Sequence, residues 1–224
     1  MGFISLFWPT LFSFTLAFSV ARTSLARSTS CACFRNYDSG IRADTRSHHT
    51  PLSEKIVNQY ESGERKIIPA TLIYAFRNDD ILMLSRTANP NDYHFGKWNG
   101  LGGKLEVGEN ILEAAAREFE EESGIKKGTE HFQVLGTIHF PNFKPHKKED
   151  WWVTILTVEL SQKERPILKS PEGDLKFIQK TNVLSLKLWA GDRHFLPLVI
   201  EKKSFLGSIE YTGEIVTRYF VQKL

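Results

Sequence analysis

The chain has 224 residues, of which 41% are hydrophobic and 25% charged, a composition typical of a soluble globular protein with one domain and a short appendage. The formal net charge is only +3, and from residue 66 onward basic and acidic side chains nearly balance. This balance excludes the basic face that a polynucleotide-binding protein requires, and it favours a small anionic ligand bound through a metal ion.

The first 65 residues differ in composition from the rest and are predicted to form an N-terminal extension. The first fifty residues contain five Arg and no Lys, and both cysteines, Cys31 and Cys33, lie among them. Residues 3–21 form an uncharged apolar run nearly long enough to span a bilayer, and arginines follow it. Residues 22–65 are polar and poorly patterned, which predicts a disordered linker.

Three interpretations of this extension stay open. If residues 3–21 insert into a membrane, the arginines after them keep the rest of the chain in the cytoplasm, because positive charge favours that side. The Ser- and Arg-rich composition also fits an organellar transit peptide, and a start codon placed too far upstream would make the extension non-native. We expect a cytoplasmic, monomeric domain that contacts a membrane only if residues 3–21 insert.

Residues 66–224 are expected to form one α+β domain. Runs of β-branched and aromatic residues at 67–76 and 81–84 predict a hairpin. Residues 97–103 form a glycine-rich turn, where the backbone can approach a ligand closely. In residues 111–123 apolar side chains recur every three or four positions before a glycine, which predicts a helix.

The second half of the domain is predicted to be mainly β-structure. Strand-like runs follow at 132–140, 151–160 and 175–178. A second helix is predicted at 195–200, and a closing hairpin at 208–221. Strands on both sides of one or two helices predict a sandwich with a mixed sheet.

A spaced motif begins in the glycine-rich turn and runs through the first predicted helix. It consists of Gly103, five residues, Glu109, seven residues, and then Arg117-Glu118-Phe119-Glu120-Glu121-Glu122-Ser123-Gly124-Ile125. Glu118, Glu121 and Glu122 are spaced i, i+3 and i+4, so their carboxylates project from one helix face. Like charges at this spacing destabilise a helix unless something neutralises them. Mg²⁺, which prefers oxygen ligands, is suited to that role.

A solvated acidic helix face is the usual explanation of such a charge run. It does not account for the glycine-rich turn and Glu109 at fixed distances upstream, nor for Arg117 among the acids. The motif resembles the signature of the Nudix hydrolase family at every defined position, with the aromatic Phe119 at an apolar position. The resemblance implies a Nudix α/β/α sandwich that cleaves a diphosphate bond with Mg²⁺, or alternatively Mn²⁺.

The resemblance also implies roles for individual residues. Glu109 and Arg117 would pair and brace the turn against the helix. Either Glu121 or Glu122 would act as the general base. The implied metal ligands are the Gly103 carbonyl, Glu118, Glu121, Glu122 and, in a later loop, Glu172.

Residues outside the motif resemble the MutT-like branch that hydrolyses oxidised purine nucleoside triphosphates. Residues 98–104 (WNGLGGK) resemble its W-N-G-x-G-G-K segment, which implies that Asn99 hydrogen-bonds the base. Residues 189–198 (WAGDRHFLPL) resemble its W-x-D-D-x-x-W-F-P-L segment, which implies that Trp189 stacks on the purine and Asp192 reads its edge. Gly191 replaces the first of that segment's two acids.

Phe140 is expected to line the base pocket, although core packing is the alternative for both Phe140 and Trp189. The leading hypothesis is Mg²⁺-dependent hydrolysis of 8-oxo-dGTP to 8-oxo-dGMP and pyrophosphate, which would sanitise the nucleotide pool. Another nucleoside diphosphate-linked substrate and a non-catalytic nucleotide sensor are the alternatives. His94, and Lys144 with Lys147 and Lys148, are expected to be solvated in loops; the alternatives are that His94 reaches the substrate and that the lysines steer a triphosphate.

Overall fold

The computed structural model describes residues 58–224, which form a nine-stranded sheet and three helices. In chain order the elements are β1 (Lys66–Arg77), β2 (Asp80–Ser85), β3 (Trp98–Asn99), α1 (Ile111–Ser123), β4 (Phe132–Lys144), β5 (Glu149–Glu159), β6 (Lys169–Ser170), β7 (Gly173–Gln179), α2 (Lys180–Val183), α3 (Asp192–Ile200), β8 (Phe205–Thr212) and β9 (Ile215–Lys223). The predicted elements are all present. The unpredicted β3, β6 and α2 have only two to four residues, too few to show a periodic pattern.

The sheet is mixed, as predicted. Its strand order is β6-β7-β2-β1-β5-β4-β8-β9, with β3 paired to β2. Strands β1 and β5 are parallel, as are β4 and β8, and the other pairs are antiparallel.

Helices cover the two faces of this sheet and complete the α/β/α sandwich. Because side chains alternate along a strand, Ile73 packs in the cluster that contains Phe119 of α1, whereas Tyr74 packs in the opposite cluster with Phe195 of α3. The predicted fold class, an α+β sandwich, is confirmed.

Helix α1 has the predicted bounds, and local interactions fix both of its ends. The Asn110 side chain accepts hydrogen bonds from the backbone N–H groups of Leu112 and Glu113, and the Glu113 carboxylate accepts one from the Asn110 N–H, forming a capping box. Gly124 ends the helix in the left-handed conformation, with φ of 71°. The buried Phe119 holds one side of α1 on the sheet and thereby sets the direction of its carboxylates.

The N-terminal boundary differs from the expectation of a linker that ends at residue 65. Residues 58–65 form turns, and Tyr60 and Arg65 both donate hydrogen bonds to the buried carboxylate of Asp150. These two contacts attach the segment to the domain. The apolar run 3–21 and both cysteines lie outside the described residues. Among residues 58–224, no helix is long and apolar enough to cross a membrane.

Candidate active site

The glycine-rich turn is bound alongside β1. Ile73 and Leu101 exchange two backbone hydrogen bonds of 2.6 and 2.9 Å, and the Thr71 N–H donates to the Gly103 carbonyl at 2.8 Å. Gly102 has φ of 130°, and an added Cβ would meet the Thr71 backbone, so a larger residue would be both strained and overlapped. The turn therefore holds Gly103 in a fixed position beside the sheet.

Two carboxylates of α1 lie directly against this turn. An added Cβ on Gly103 would overlap the Glu118 carboxylate, and Glu122 accepts a 2.7 Å hydrogen bond from the Gly102 N–H. Glu122 is only 4% exposed, and burial raises its pKa to about 7. Burial likewise raises the pKa of Glu118, against the opposing charge of Arg117. The helix thus presents desolvated carboxylates whose negative charge is only partly compensated.

Arg117 connects α1 to the segment that follows the glycine-rich turn. Its guanidinium donates two hydrogen bonds to Glu109, at 2.7 and 3.0 Å, one to Glu118 at 2.9 Å and one to the Lys104 carbonyl at 3.1 Å. A further contact of 3.3 Å reaches Glu121. The hydrogen bonds from Arg117 lower the pKa of Glu109 to about 2, so Glu109 stays ionised over the whole range of neutral pH.

The donor set suits a hard divalent cation. It consists of oxygen atoms from carboxylates and one backbone carbonyl. Burial, and to a smaller extent the neighbouring carboxylates, raise the pKa of Glu118 and Glu122, and a bound cation would stabilise their charged forms. The side chains are not yet arranged as ligands, because no three acidic, His or Cys side chains in residues 58–224 converge on one point. Glu121 is 58% exposed, and Glu172 is paired with Arg86.

A cavity of about 620 Å³, called the main cavity below, opens beside Gly103 and Glu118. The predicted site residues that line it are Asn99, Gly103, Glu118, Phe140, Glu172, Trp189 and Asp192. The predicted residues that do not line it are Glu109, Arg117, Glu121 and Glu122. One space therefore joins the predicted metal end, at Glu118, to the predicted base end, at Trp189, more than seventy residues away in the sequence.

Aromatic and polar side chains surround Trp189 at the base end. The indole is 6% exposed, Tyr93 stacks on it at a centroid distance of 5.3 Å, and its Nε1–H donates to Nδ1 of His94 at 3.0 Å. The ammonium of Lys97 lies 4.9 Å from the ring centroid. The sequence allowed Trp189 either to pack in the core or to line a base pocket. In the structure it packs into the core and also borders the cavity.

Asp192 is the acidic group at this end of the main cavity. It is 8% exposed and begins α3. Burial raises its pKa to about 7, although a hydrogen bond from the Trp189 backbone and the charges of Lys97 and Arg193 act in the opposite direction. Near neutral pH the side chain can therefore exist in either protonation state.

Several cavity residues were not predicted as site residues. They are Arg86, His94, Lys104, Phe143, Lys144, Trp151 and Tyr211. Neither His94 nor Lys144 is simply a solvated loop residue, because both line the main cavity: His94 accepts a hydrogen bond from Trp189, and Lys144 is the last residue of β4. No local pattern marks Tyr211, which occupies an ordinary inward position of β8.

The sandwich and the acidic helix beside its glycine-rich turn define a hydrolase of the Nudix class. The chain belongs to the Nudix family, because the family model described as the NUDIX domain matches residues 66–199. Nudix hydrolases generally use divalent metal ions and act on small nucleotide substrates.

Two relatives carry the same descriptive name. The chain is 35% identical over 121 residues to the oxidized purine nucleoside triphosphate hydrolase of Danio rerio, a match that covers 54% of this chain and 74% of the relative. It is 32% identical over 119 residues to the protein of that name from Mus musculus, covering 53% and 72%.

Solved structures share the fold. The MutT protein of Bacillus halodurans superposes with a TM-score of 0.59 at 26% identity, covering 69% of this chain and 97% of that one. The MutT protein of Methanosarcina mazei Go1 superposes with a TM-score of 0.50 at 22% identity, covering 62% and 96%.

Proposed function

We propose that this protein hydrolyses oxidised purine nucleoside triphosphates, converting 8-oxo-dGTP to 8-oxo-dGMP and pyrophosphate with Mg²⁺ as cofactor. The observation that carries this proposal is the main cavity, which has carboxylates at one end and Trp189, Asp192 and Asn99 at the other. The relatives named as oxidized purine nucleoside triphosphate hydrolases support the same substrate class. The cellular consequence would be removal of damaged precursors before a polymerase incorporates them.

At the metal end, Glu118, Glu121, Glu122 and the Gly103 carbonyl would hold Mg²⁺, with Glu172, which lines the same cavity, as a further ligand. The ion supplies neutralisation of phosphate charge and a lowered pKa for bound water. Arg117 keeps Glu118 in place through its bond of 2.9 Å. Lys104 and Lys144, which line the same cavity, are placed to attract a triphosphate.

In the reaction, the oxygen of a water molecule attacks phosphorus, the bond between the α- and β-phosphates breaks, and pyrophosphate leaves. The proton of the attacking water passes to Glu121 or Glu122. Glu122 accepts a hydrogen bond from Gly102 and has a pKa of about 7, whereas Glu121 is exposed.

We expect Glu121→Gln and Glu122→Gln each to lower turnover by orders of magnitude. Glu120→Gln, at an exposed position of the same helix, serves as the matched control.

At the base end, Asn99 and Asp192 would hydrogen-bond the purine edge, and Trp189 and Phe140 would supply apolar aromatic surface. A flat ring needs such surfaces on its faces and fixed polar partners at its edge. Trp189 and Phe140 are 6% and 8% exposed and border the same cavity. Asn99 lines the same cavity and belongs to the short strand β3, which pairs with β2.

The test is pyrophosphate release in the presence of Mg²⁺ across a panel of substrates. It includes normal and oxidised purine nucleoside triphosphates, a dinucleoside polyphosphate and a nucleotide sugar. We expect kcat/KM to be highest for 8-oxo-dGTP. A higher kcat/KM for any unmodified or differently linked substrate would replace the proposal with that activity, and absence of turnover on every member would support a sensor.

Matched variants connect the selectivity to the cavity. Asn99→Ala and Trp189→Ala are expected to reduce the preference for 8-oxo-dGTP over dGTP, whereas Asn91→Ala in the exposed loop is expected to leave it unchanged. Equal preference in all of these variants would place base recognition elsewhere.

We also propose that the enzyme is a cytoplasmic monomer, which sedimentation analysis and localisation of the tagged full-length chain would test.

A further inference from the structure

Tyr211 of β8 lies at the base end of the main cavity, where no sequence pattern placed a functional residue. Its phenol oxygen accepts a 2.8 Å hydrogen bond from the backbone N–H of Gly191. The hydroxyl proton is not used in that bond, and no group in the described part of the chain accepts it. The phenol therefore has one hydrogen bond left to donate beside the cavity.

Lack of room for a side chain, rather than backbone conformation, explains why position 191 is occupied by glycine. Its φ of −68° and ψ of −26° are helical values that any residue adopts. An added Cβ, however, would overlap the Tyr211 hydroxyl and lie only 2.8 Å from Cγ2 of Ile209. A side chain at position 191 and the hydroxyl of Tyr211 thus exclude each other, whereas the resembling segment carries an acid at this position.

Having Gly191 and the Tyr211 hydroxyl instead of a second acid changes the hydrogen-bonding groups at the base end. Burial and the charge of Asp192 raise the pKa of Tyr211, so the phenol stays neutral and protonated. A pair of acids can exchange a proton and present different combinations of donor and acceptor. Here only Asp192 can change its protonation state, and its neighbour is a permanent O–H donor.

We propose that Tyr211 is a specificity-determining residue, whose O–H donates a hydrogen bond to a ring carbonyl oxygen of the base and selects 6-oxopurines over 6-aminopurines. The inference rests on the proposed function. An amino group in place of the carbonyl would face the O–H with another donor and leave the buried phenol without an acceptor. A site built for a hydrogen-bonding partner discriminates strongly against a ligand that lacks it.

The experiment measures kcat/KM of the full chain for two oxidised purine triphosphates, 8-oxo-dGTP and 8-oxo-dATP, which differ at position 6. Tyr211→Phe is expected to lower the value for 8-oxo-dGTP by about 10- to 100-fold and the value for 8-oxo-dATP by less than about threefold. Tyr219→Phe, on the partner strand β9 and outside the main cavity, is the matched control and is expected to change neither.

The outcomes separate this inference from the function on which it rests. If the wild-type chain hydrolyses neither triphosphate, the proposed function fails and the inference fails with it. If the wild type hydrolyses 8-oxo-dGTP and Tyr211→Phe keeps the same ratio between the two substrates, the function stands and the role of Tyr211 is wrong. A thermal melt of each variant establishes that it is folded.

A second variant tests the coupling between Gly191 and Tyr211 without depending on loss of the hydroxyl alone. Gly191→Ala in the wild-type background must displace the phenol, so it is expected to lower the 6-oxo preference. The same substitution in the Tyr211→Phe background is expected to lower the preference no further, because the donor is already absent. Additive losses in the double variant would overturn the proposed contact.

Discussion

Arg117 contacts three carboxylates and the Lys104 carbonyl at once, so a single side chain positions the groups of the proposed metal end. Its bonds to Glu109, Glu118 and the Lys104 carbonyl use the flat, forked guanidinium. A lysine has the charge but not the fork, and it cannot make these contacts together. Replacing Arg117 by lysine keeps the net charge, so we expect the substitution to change how the protein binds and uses its metal ion.

We expect Arg117→Lys to lower kcat by about 10- to 100-fold and to raise the Mg²⁺ concentration needed for half-maximal rate, because supporting residues of a metal site have effects of this size. Steady-state kinetics at varied Mg²⁺ measures both quantities. Arg165→Lys, in an exposed loop, is the matched control. Wild-type kinetics for Arg117→Lys would mean that the guanidinium contacts are dispensable.

His94 gives a pH-dependent prediction about stability. Burial lowers its pKa to about 4, whereas an unfolded chain protonates histidine near 6.5. Between these values only the unfolded chain binds the extra proton, so the free energy of unfolding falls as pH falls through this window. The loss from this group is about 2 kcal/mol between pH 7 and pH 5.

Urea denaturation of wild type and His94→Gln at pH 7 and pH 5 isolates that contribution, because other titrating groups are common to both proteins. The variant should lose less stability than the wild type on acidification. Equal losses in the two proteins would show that His94 is accessible to protons in the folded state.

At the level of single residues, the sequence could indicate all the proposed metal-binding carboxylates of α1 but only part of the lining of the main cavity near Trp189. Glu118, Glu121 and Glu122 belong to one helix, and their fixed spacing is visible in the sequence. Tyr211 reaches the main cavity only because β8 lies beside β4 in the sheet, a pairing of distant segments with no local signature. His94 likewise acquires its role from Trp189, ninety-five residues away.

Among the elements, α1 was predicted to the residue because its pattern includes both ends as well as the apolar face. The hairpins were predicted because turn residues separate β-branched runs. Strand β4 extends to Lys144, beyond the expected end at residue 140. Its pairing with β5 is irregular between Phe140 and Lys144, where Asn142 has a positive φ. Bulged strand ends are fixed by cross-strand pairing, which a single segment does not reveal.

The capping box of α1 leads to a prediction at this scale. Asn110→Ala removes the acceptor for two backbone N–H groups and is expected to lower the free energy of unfolding by about 1 kcal/mol. Asn110→Ser, which keeps an acceptor oxygen, should remain close to wild type. Urea denaturation measures both. Equal destabilisation by the two substitutions would assign the effect to packing instead of capping.

The whole domain includes the turn segment 58–65 as well as the sandwich. Arg65 and Tyr60 bind Asp150 of β5, which is only 2% exposed. These contacts join the segment to β5. Burial would raise the pKa of Asp150, but Arg65 and Tyr60 outweigh it and the net shift is downward. The contribution to stability is therefore present above pH 4, the unfolded value, and is lost as pH falls through the folded pKa.

Arg65→Ala is expected to lower the free energy of unfolding by about 2 kcal/mol at pH 7, because it leaves a buried carboxylate short of a partner. Lys66→Ala, an exposed neighbour, should change it by less than about 0.5 kcal/mol. The difference between Arg65→Ala and wild type should shrink in acid. If it is the same at pH 3 and pH 7, the Arg65–Asp150 pair is not its cause.

The placement of Tyr211 in the closing hairpin partly separates two properties along the chain. The groups proposed for phosphate chemistry end at Glu172. Of the residues proposed to contact the base, Asn99 and Phe140 precede that position, whereas Trp189, Asp192 and Tyr211 follow it. Substitutions in β8 reach the cavity without altering the acidic helix. A gene duplicate could therefore inherit the reaction unchanged and diverge in the damaged base it clears, through changes confined to its last forty codons.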